Sequence, residues 1–359
     1  MIHESSYQSC AKGELSSLYV EFKTAFTEQY HWTELQPGSP DHGNLTTDKL
    51  AKLKQRWGSS LVSVAYGSML TLGERIGEGS QAVIYEALLG NRPCGLIAKV
   101  FKEPLLVVQS QWPANIFELE GVCKYITRVF GGALLNDGRY AFLMLKFEGD
   151  LRKVINENIV RNNGGKPFNL DEALHYMIRI ASGMKTLHSK NILHRDLKAA
   201  NVLVWSHPDK HACAVDVRDK FYCAVSDFET SIGVLGTAFW RPPEMLQALQ
   251  DGHLSEFEIT TKVDVYGFAM TCYEILTGQV PFKDNFVTDY NLVINGQRPE
   301  LPNVCAKLRG LLGRCWHQDP TKRPEFSEIV HLVGEIMTTE LNIPKHKVEW
   351  IAKARPDYM

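Results

Sequence analysis

The sequence predicts an α+β protein of two lobes, a small strand-rich one followed by a larger helical one. Short β-like runs begin at Met69, and after Asp150 they give way to long stretches with apolar residues every three or four positions. A chain of 359 residues has room for two such lobes and an extension besides. The change of period near Asp150 is the sharpest of these signals, because side chains alternate along a strand but return to one helix face only every third or fourth residue.

Residues 1–68 read as a mainly helical extension. Leu15, Leu18, Phe22, Ala25 and Phe26 recur at helical spacing, and a Pro- and Gly-punctuated loop follows over 36–44. Leu50, Leu53 and Trp57 then share one face behind an N-cap at Thr47 or Asp48. Strand-like runs cover 69–72, 83–87 and 96–101, a helix is predicted over 116–129, and a further strand over 140–146. These make a small lobe over 69–146. In the large lobe, 147–337, Asn169 and Glu172 form a capping-box pattern ahead of an apolar face of Leu174, Met177, Ile178, Ala181, Met184 and Leu187. A second helical stripe runs from Val265 through Phe268, Ala269, Cys272 and Ile275 to Leu276, and Gly278 and Pro281 stop it. Phe326, Ile329, Val330 and Val333 make a third. These stripes are core. The tail, 338–359, carries a short amphipathic stretch over 345–353 with Trp350 and Ile351.

Composition excludes several classes. Hydrophobic residues make up 44% and charged residues 22%, which is ordinary globular usage and excludes a disordered, collagenous or coiled-coil chain. A net charge of -2 gives no broad field for nucleic acid or an anionic membrane, so partners must be recognised locally. The eight cysteines, at 10, 94, 123, 213, 223, 272, 305 and 315, form no C-x-x-C pair, as befits free thiols in a reducing compartment. Residues 1–6 show no basic region leading into an apolar run, and no stretch reaches the roughly 20 apolar residues of a membrane span. A soluble cytoplasmic protein is predicted, with the nucleus as an alternative.

Three groups of residues carry chemistry. The first is Ile76-Gly77-Glu78-Gly79-Ser80-Gln81-Ala82-Val83, where glycines remove Cβ atoms and let backbone N–H groups approach phosphate oxygens. The run continues as a strand after the glycines, which argues against a dinucleotide fold, where a helix follows. Taken alone it is also compatible with a plain hairpin. The second is Lys99, within the otherwise apolar run 96–101. A lysine there needs an anionic partner if buried, and Glu118 and Glu120 on the next element are candidates. The third and strongest is His194-Arg195-Asp196-Leu197-Lys198-Ala199-Ala200-Asn201, followed by Asp227. Within one loop Asp196 can accept a hydroxyl proton, Lys198 can neutralise a transferring phosphoryl group and Asn201 can ligate Mg²⁺. Asp227 adds the hard carboxylate oxygen that Mg²⁺ prefers.

These motifs, in this order, resemble the eukaryotic protein-kinase superfamily over about Met69 to Met337. The texture is most like its tyrosine-kinase-like group of Ser/Thr kinases, including the plant-type branch. The resemblance implies a bilobal kinase fold that binds ATP with Mg²⁺, or with Mn²⁺, and acts on protein substrates. It implies Asp196 as catalytic base, Lys198 as its Ser/Thr-type companion, Lys99 as the phosphate lysine, Glu118 as the helix partner of Lys99, and Asn201 and Asp227 as metal ligands. Nucleotide contacts are implied for Ile76, Gly77, Glu78, Gly79 and Val83 in the glycine loop, and for Ile97 beside Lys99. Met144 is the implied residue at the back of the adenine pocket, Leu145 to Phe147 the hinge, and Leu203 a contact on the large-lobe side. Asp264 resembles the aspartate at the head of a central helix, and Arg323 the buried arginine that pairs with Glu244.

The sequence departs from the family's pattern in places. Glu229 stands where the family has the glycine of D-F-G, which predicts a stiffer segment and an extra carboxylate near the metal site. That residue is the reason to keep an alternative, a nucleotide-binding pseudokinase scaffold that transfers little or nothing. Ala82 replaces a third glycine, and Pro242 the alanine of A-P-E. From Asp227 to Glu244 the activation segment is short. Thr230 and Ser231 are candidate sites for an upstream kinase, with Arg195 to receive the phosphate, while Thr237 is predicted to contact Asp196 and Lys198. The stretch 207–216, with His207, His211 and Cys213, reads as a solvated hairpin loop ahead of a zinc site.

Overall fold

The computed structural model describes residues 70–353 apart from 90–91, 105–111, 114–118, 120–122, 135–138, 206–221, 230, 233 and 254–256. The expectations for 1–68 and for 207–216 lie outside the described residues.

The small lobe is built on a five-stranded antiparallel sheet in the order β1-β2-β3-β5-β4. Its strands are β1 (Leu70–Glu78), β2 (Ala82–Leu89), β3 (Arg92–Pro104), β4 (Val129–Leu134) and β5 (Arg139–Leu145). Both faces of its centre are covered. One carries Ala87, Leu96, Ala98, Val100, Ala141 and Leu143, and the other carries Phe101, Phe142 and Met144 into the main core. Phe142, Phe101, Trp112 and Tyr140 form an aromatic group with centroids 4.8 to 6.5 Å apart, distances at which aromatic pairs attract beyond their burial.

The helix predicted over 116–129 is overturned at its C-terminal end. Residues 123–128 are not helical, and Val129 opens β4. The cause is a tertiary pairing: Ile126 bridges to Val225, and the Thr127 amide donates to the Val225 carbonyl at 2.8 Å. β-branched residues such as Ile126, Thr127 and Val129 accept that extended course readily.

A small sheet of β6 (Gly149–Asp150), β7 (Val202–Val204) and β8 (Cys223–Val225) leads into the large lobe. Asp150 caps α1 (Leu151–Arg161) by accepting from the Lys153 amide. The capping box at Asn169 and Glu172 is formed in full at the head of α2 (Leu170–Ser189). Among the described residues the further α-helices are α3 (Pro243–Gln250), α4 (Thr261–Thr277), α5 (Asn291–Ile294), α6 (Ala306–Cys315), α7 (Phe326–Leu341) and α8 (Lys345–Ala352). Gly278 ends α4 at φ 76°, the left-handed cap that only glycine adopts without strain.

Helix α4 is the centre of this lobe, since every residue from Val263 to Leu276 is buried. A helix buried on all sides needs an apolar surface, yet this one includes Asp264, Thr271 and Glu274. Buried polar groups of this kind must find partners inside the protein, and all three find one in the loop of residues 194–201: Asp264 at the His194 and Arg195 amides, Thr271 at the Leu197 carbonyl and Glu274 at the Ala199 amide. Helix α2 packs on α7 and on β8, and Gly183 permits the approach. A Cβ at Gly183 would sit 2.4 Å from the Tyr125 carbonyl oxygen. The tail helix α8 buries Val348 and Ile351, and the Ile351 carbonyl accepts from the Tyr125 hydroxyl at 2.9 Å. No helix among the described residues is long and apolar enough to cross a membrane.

Candidate active site

The loop of residues 194–201, the candidate catalytic loop, follows α2 and is fastened by side chains of α4. Asp264 Oδ2 accepts from the His194 amide at 2.9 Å and Oδ1 from the Arg195 amide at 2.7 Å, while His188 Nε2 lies 2.7 Å from Oδ2. These bonds hold Arg195 at φ 69°, an uncommon conformation for a residue with a side chain. Burial works against ionisation of Asp264, but the His188 hydrogen bond and the nearby imidazoles reverse this and hold its carboxyl below the usual range. Further along α4, Glu274 accepts from the Ala199 amide and Trp240 Nε1, both at 3.0 Å, and from Arg152 at 3.3 Å. Burial pushes the Glu274 carboxyl up, and the Ala199 amide and Arg152 offset only part of that rise.

On this base the reactive groups meet. Lys198 Nζ donates to Asp196 Oδ2 and to Thr237 Oγ1, each at 2.7 Å, and the Thr237 hydroxyl donates to Asp196 Oδ1 at 2.6 Å. Thr237 therefore makes the contacts predicted for it. Asn201 donates through Nδ2 to the Asp196 carbonyl at 2.7 Å and to Asp196 Oδ2 at 3.2 Å. Its Oδ1 makes no hydrogen bond among the described residues.

The second cluster spans the lobes. Lys99, on β3 and 7% exposed, donates to Asp227 Oδ1 at 2.6 Å and to Glu229 Oε2 at 3.1 Å. Burial alone would lower the Lys99 pKa, but the two carboxylates outweigh it and hold the ammonium above its ordinary value. Lys99 in turn draws the Asp227 carboxyl below its usual range. Glu118, the partner that the resemblance implies, lies outside the described residues. Among the described residues the carboxylates on Lys99 are Asp227 and Glu229. Glu229 thus brings its extra carboxylate beside Asp227, on the same ammonium, but it is fully buried, and Oε1 accepts from Thr127 Oγ1 at 2.9 Å.

Strand register sorts the nucleotide residues. Directly opposed residues of antiparallel strands share a face. Ile84 lies opposite Lys99, Phe142 opposite Lys99 on the other side, and Met144 opposite Ile97. Ile84, Ile97, Lys99 and Met144 therefore share one face. Val83 lies opposite Val100, which belongs to the apolar cluster on the other face. The assignment of Val83 to the nucleotide is thus overturned by one position, because a one-residue step along a strand reverses the side. Counting from Gly77, whose partner is Ile84, gives the signal that the sequence reading missed.

Leu145 packs with Leu143 on the outer cluster, on the face away from Lys99. Phe147 stacks on Trp205 and Tyr222 with centroids 5.2 and 6.2 Å away. Leu203 is half-buried, and its β7 neighbours Val202 and Val204 fill the core. Ile76 is 49% exposed, and Glu78 pairs with Arg75 and Lys102.

ATP and a divalent cation fit this donor set. A Cβ at Gly77 would meet nothing within 4 Å, so the loop has open space beside its backbone. Lys99 retains a third N–H after its two carboxylates. Asn201 Oδ1 and the Asp227 carboxylate, 55% exposed, are hard oxygens. Beyond Asp227, Arg323 makes a paired ion contact with Glu244 at 2.7 and 2.8 Å, and Arg241 donates to the Leu235 and Gly236 carbonyls.

The profile of the family described as protein tyrosine and serine/threonine kinase matches residues 70–333. Serine/threonine-protein kinase STY17 of Arabidopsis thaliana is 32% identical over 75% of this chain and 43% of its own length. Serine/threonine/tyrosine-protein kinase HT1 of the same plant is 26% identical over 87% of this chain and 76% of its own length. A light-sensor protein kinase of Ceratodon purpureus is 34% identical over 53% of this chain. That match spans 16% of the relative's length, so the chain is far shorter than some of the kinases it resembles.

Proposed function

Since the chain belongs to the protein tyrosine and serine/threonine kinase family, we propose that its two lobes transfer the γ-phosphoryl group of ATP to serine or threonine hydroxyls of protein substrates. The observation that carries this reading is the closed triangle of Asp196, Lys198 and Thr237. Asp196 accepts the hydroxyl proton, and its orientation is held by three donors. Lys198, 2.7 Å from that carboxylate, offsets charge on the group in transit. Lys99 and the glycine loop position the phosphates, and Asn201 and Asp227 would hold Mg²⁺ or Mn²⁺. The metal supplies charge neutralisation between phosphate oxygens when bound. Catalysis is then chiefly a matter of positioning.

The nucleotide face is completed by Ile84, Ile97, Met144 and Leu203, with hinge backbone at Leu145. The proposed organisation is a helical extension over 1–68, lobes over 69–146 and 147–337, and a tail over 338–359, with α7 continuing to Leu341. The free thiols at Cys123, Cys223, Cys272, Cys305 and Cys315 support a reducing, cytoplasmic setting. An upstream kinase acting at Thr230 or Ser231 belongs to the same proposal. Arg195 supports it, because its Nε is buried with no hydrogen-bond partner among the described residues. Ser231 is 2% exposed and must leave its present setting to be modified. Transfer of radiolabelled phosphate from ATP to generic protein substrates, compared with Lys99→Met, tests the function. Incorporation on Ser and Thr by the wild-type chain alone is the expected result, and equal incorporation by the variant refutes it.

A further inference from the structure

Glu229 occupies a position where the backbone makes no demand for glycine. Positive φ angles occur at Asp227, at 66°, and not at Glu229, so a side chain sits there without strain. That side chain is spent entirely inside the protein. One oxygen receives Thr127 Oγ1 at 2.9 Å and the other receives Lys99 Nζ at 3.1 Å. Thr127 is itself 3% exposed and tied through its amide to Val225. The second carboxylate on Lys99 is different in kind. Asp227 is 55% exposed, so a cation from solvent can compete for it.

We propose that Glu229 is the positioning residue for Lys99, an anchor that keeps its ammonium aimed at the phosphate site when Asp227 turns to the metal. This rests on the reading of Lys99 as the phosphate-binding lysine. The physical argument is one of relative freedom. A half-exposed carboxylate can exchange a lysine for a cation and water, whereas a fully buried one that lost its lysine would keep an uncompensated charge, which is strongly unfavourable. Lys99 has three N–H donors. With Glu229 holding one, the others stay directed toward Asp227 and the cleft. A second consequence is coupling. The lysine's anchor and the metal carboxylate lie two residues apart on one segment, so any movement of that segment makes or breaks both together.

Affinity for nucleotide reads this directly. Calorimetric titration of the whole chain with ATP–Mg²⁺ and, separately, with adenosine distinguishes phosphate contacts from base contacts. Glu229→Gly, which restores the family's glycine, is expected to weaken ATP binding by about 10-fold or more, the scale of one charge-assisted hydrogen bond, while adenosine binding changes little. Glu229→Gln keeps size and an acceptor and is expected to lose less. In a Lys99→Met background the Glu229→Gly loss should vanish, because the anchor then has nothing to aim. The proposal is overturned by an unchanged ATP affinity in Glu229→Gly, by equal losses for ATP and adenosine, or by a loss that persists without Lys99. If Glu229→Gly does not fold, Glu229→Gln decides the matter: ATP affinity equal to wild type overturns the anchor. A wild-type chain that binds ATP as expected and transfers no phosphate would overturn the function proposed above and leave the anchor standing.

Discussion

The catalytic loop and the segment around Asp227 both carry carboxylates essential to the proposed chemistry, but they are held in opposite ways. Asp196 stands on a loop fastened to the large lobe by groups of α4 that are buried from solvent, Asp264 and Glu274. Asp227 and Glu229 reach across to the small lobe and hold it by ion pairs with Lys99 and a hydroxyl from Thr127. The first arrangement is a rigid seat, because its hydrogen bonds lie where water cannot replace them. The second is an adjustable contact, since one of its two carboxylates is 55% exposed. A kinase-like site needs both: a proton acceptor that stays in place, and a phosphate and metal grip that can open for exchange.

Four substitutions would break or sharpen that contrast, and the largest effect belongs to the rigid seat's reactive group. Asp196→Asn is expected to lower turnover by about 10² to 10⁴-fold while ATP affinity stays near wild type, as steady-state kinetics and titration would show. Comparable turnover would remove Asp196 from its assigned role. Asp264→Asn attacks the seat itself. Losing a buried charge that receives two amides and His188 should cost about 3 kcal/mol or more in chemical denaturation at neutral pH. The pH dependence follows from the sign of the shift. The folded-state pKa of Asp264 is depressed, so its contribution is present above the unfolded value of about 4 and is lost as pH falls through the folded one. Wild type should therefore lose more stability on acidification than Asp264→Asn does.

The adjustable side has smaller expected effects. Gly183→Ala places a Cβ against the Tyr125 carbonyl and should displace residues 125–127 at a cost of about 1–3 kcal/mol. Because Thr127 holds Glu229, ATP affinity is expected to fall with it, whereas a loss of stability alone would separate the two regions more completely than described. Tyr125→Phe removes the bond to the tail carbonyl of Ile351 and should cost about 1 kcal/mol in thermal or denaturant melts. No change there would show that α8 is held by the packing of Val348 and Ile351 and by Lys124 over the Trp350 ring instead.

Much of the fold was legible from local pattern. The capping box at Asn169, the left-handed stop at Gly278 and the tail helix follow from interactions within a few residues, and the structure has each of them. The end of the helix predicted over 116–129 was illegible, because Ile126 and Thr127 take their course from Val225, some hundred residues on. Val83 was a slip of register: motif spacing located the strand, but the pairing with β3 showed that Ile84 shares the face of Lys99.

The sequence by itself determined which groups gather in the 194–201 loop, since Asp196, Lys198 and Asn201 lie within six residues, while Asp264, Glu274 and Thr237 hold them there from a distance. The tertiary structure decided what Glu229 does. Lys99, Thr127 and Glu229 are separated by up to 130 residues of chain, and only the packing of β3, the 125–127 segment and the large lobe turns that carboxylate toward the lysine. A buried charge must face its counter-charge, and which counter-charge lies within reach is a property of the fold.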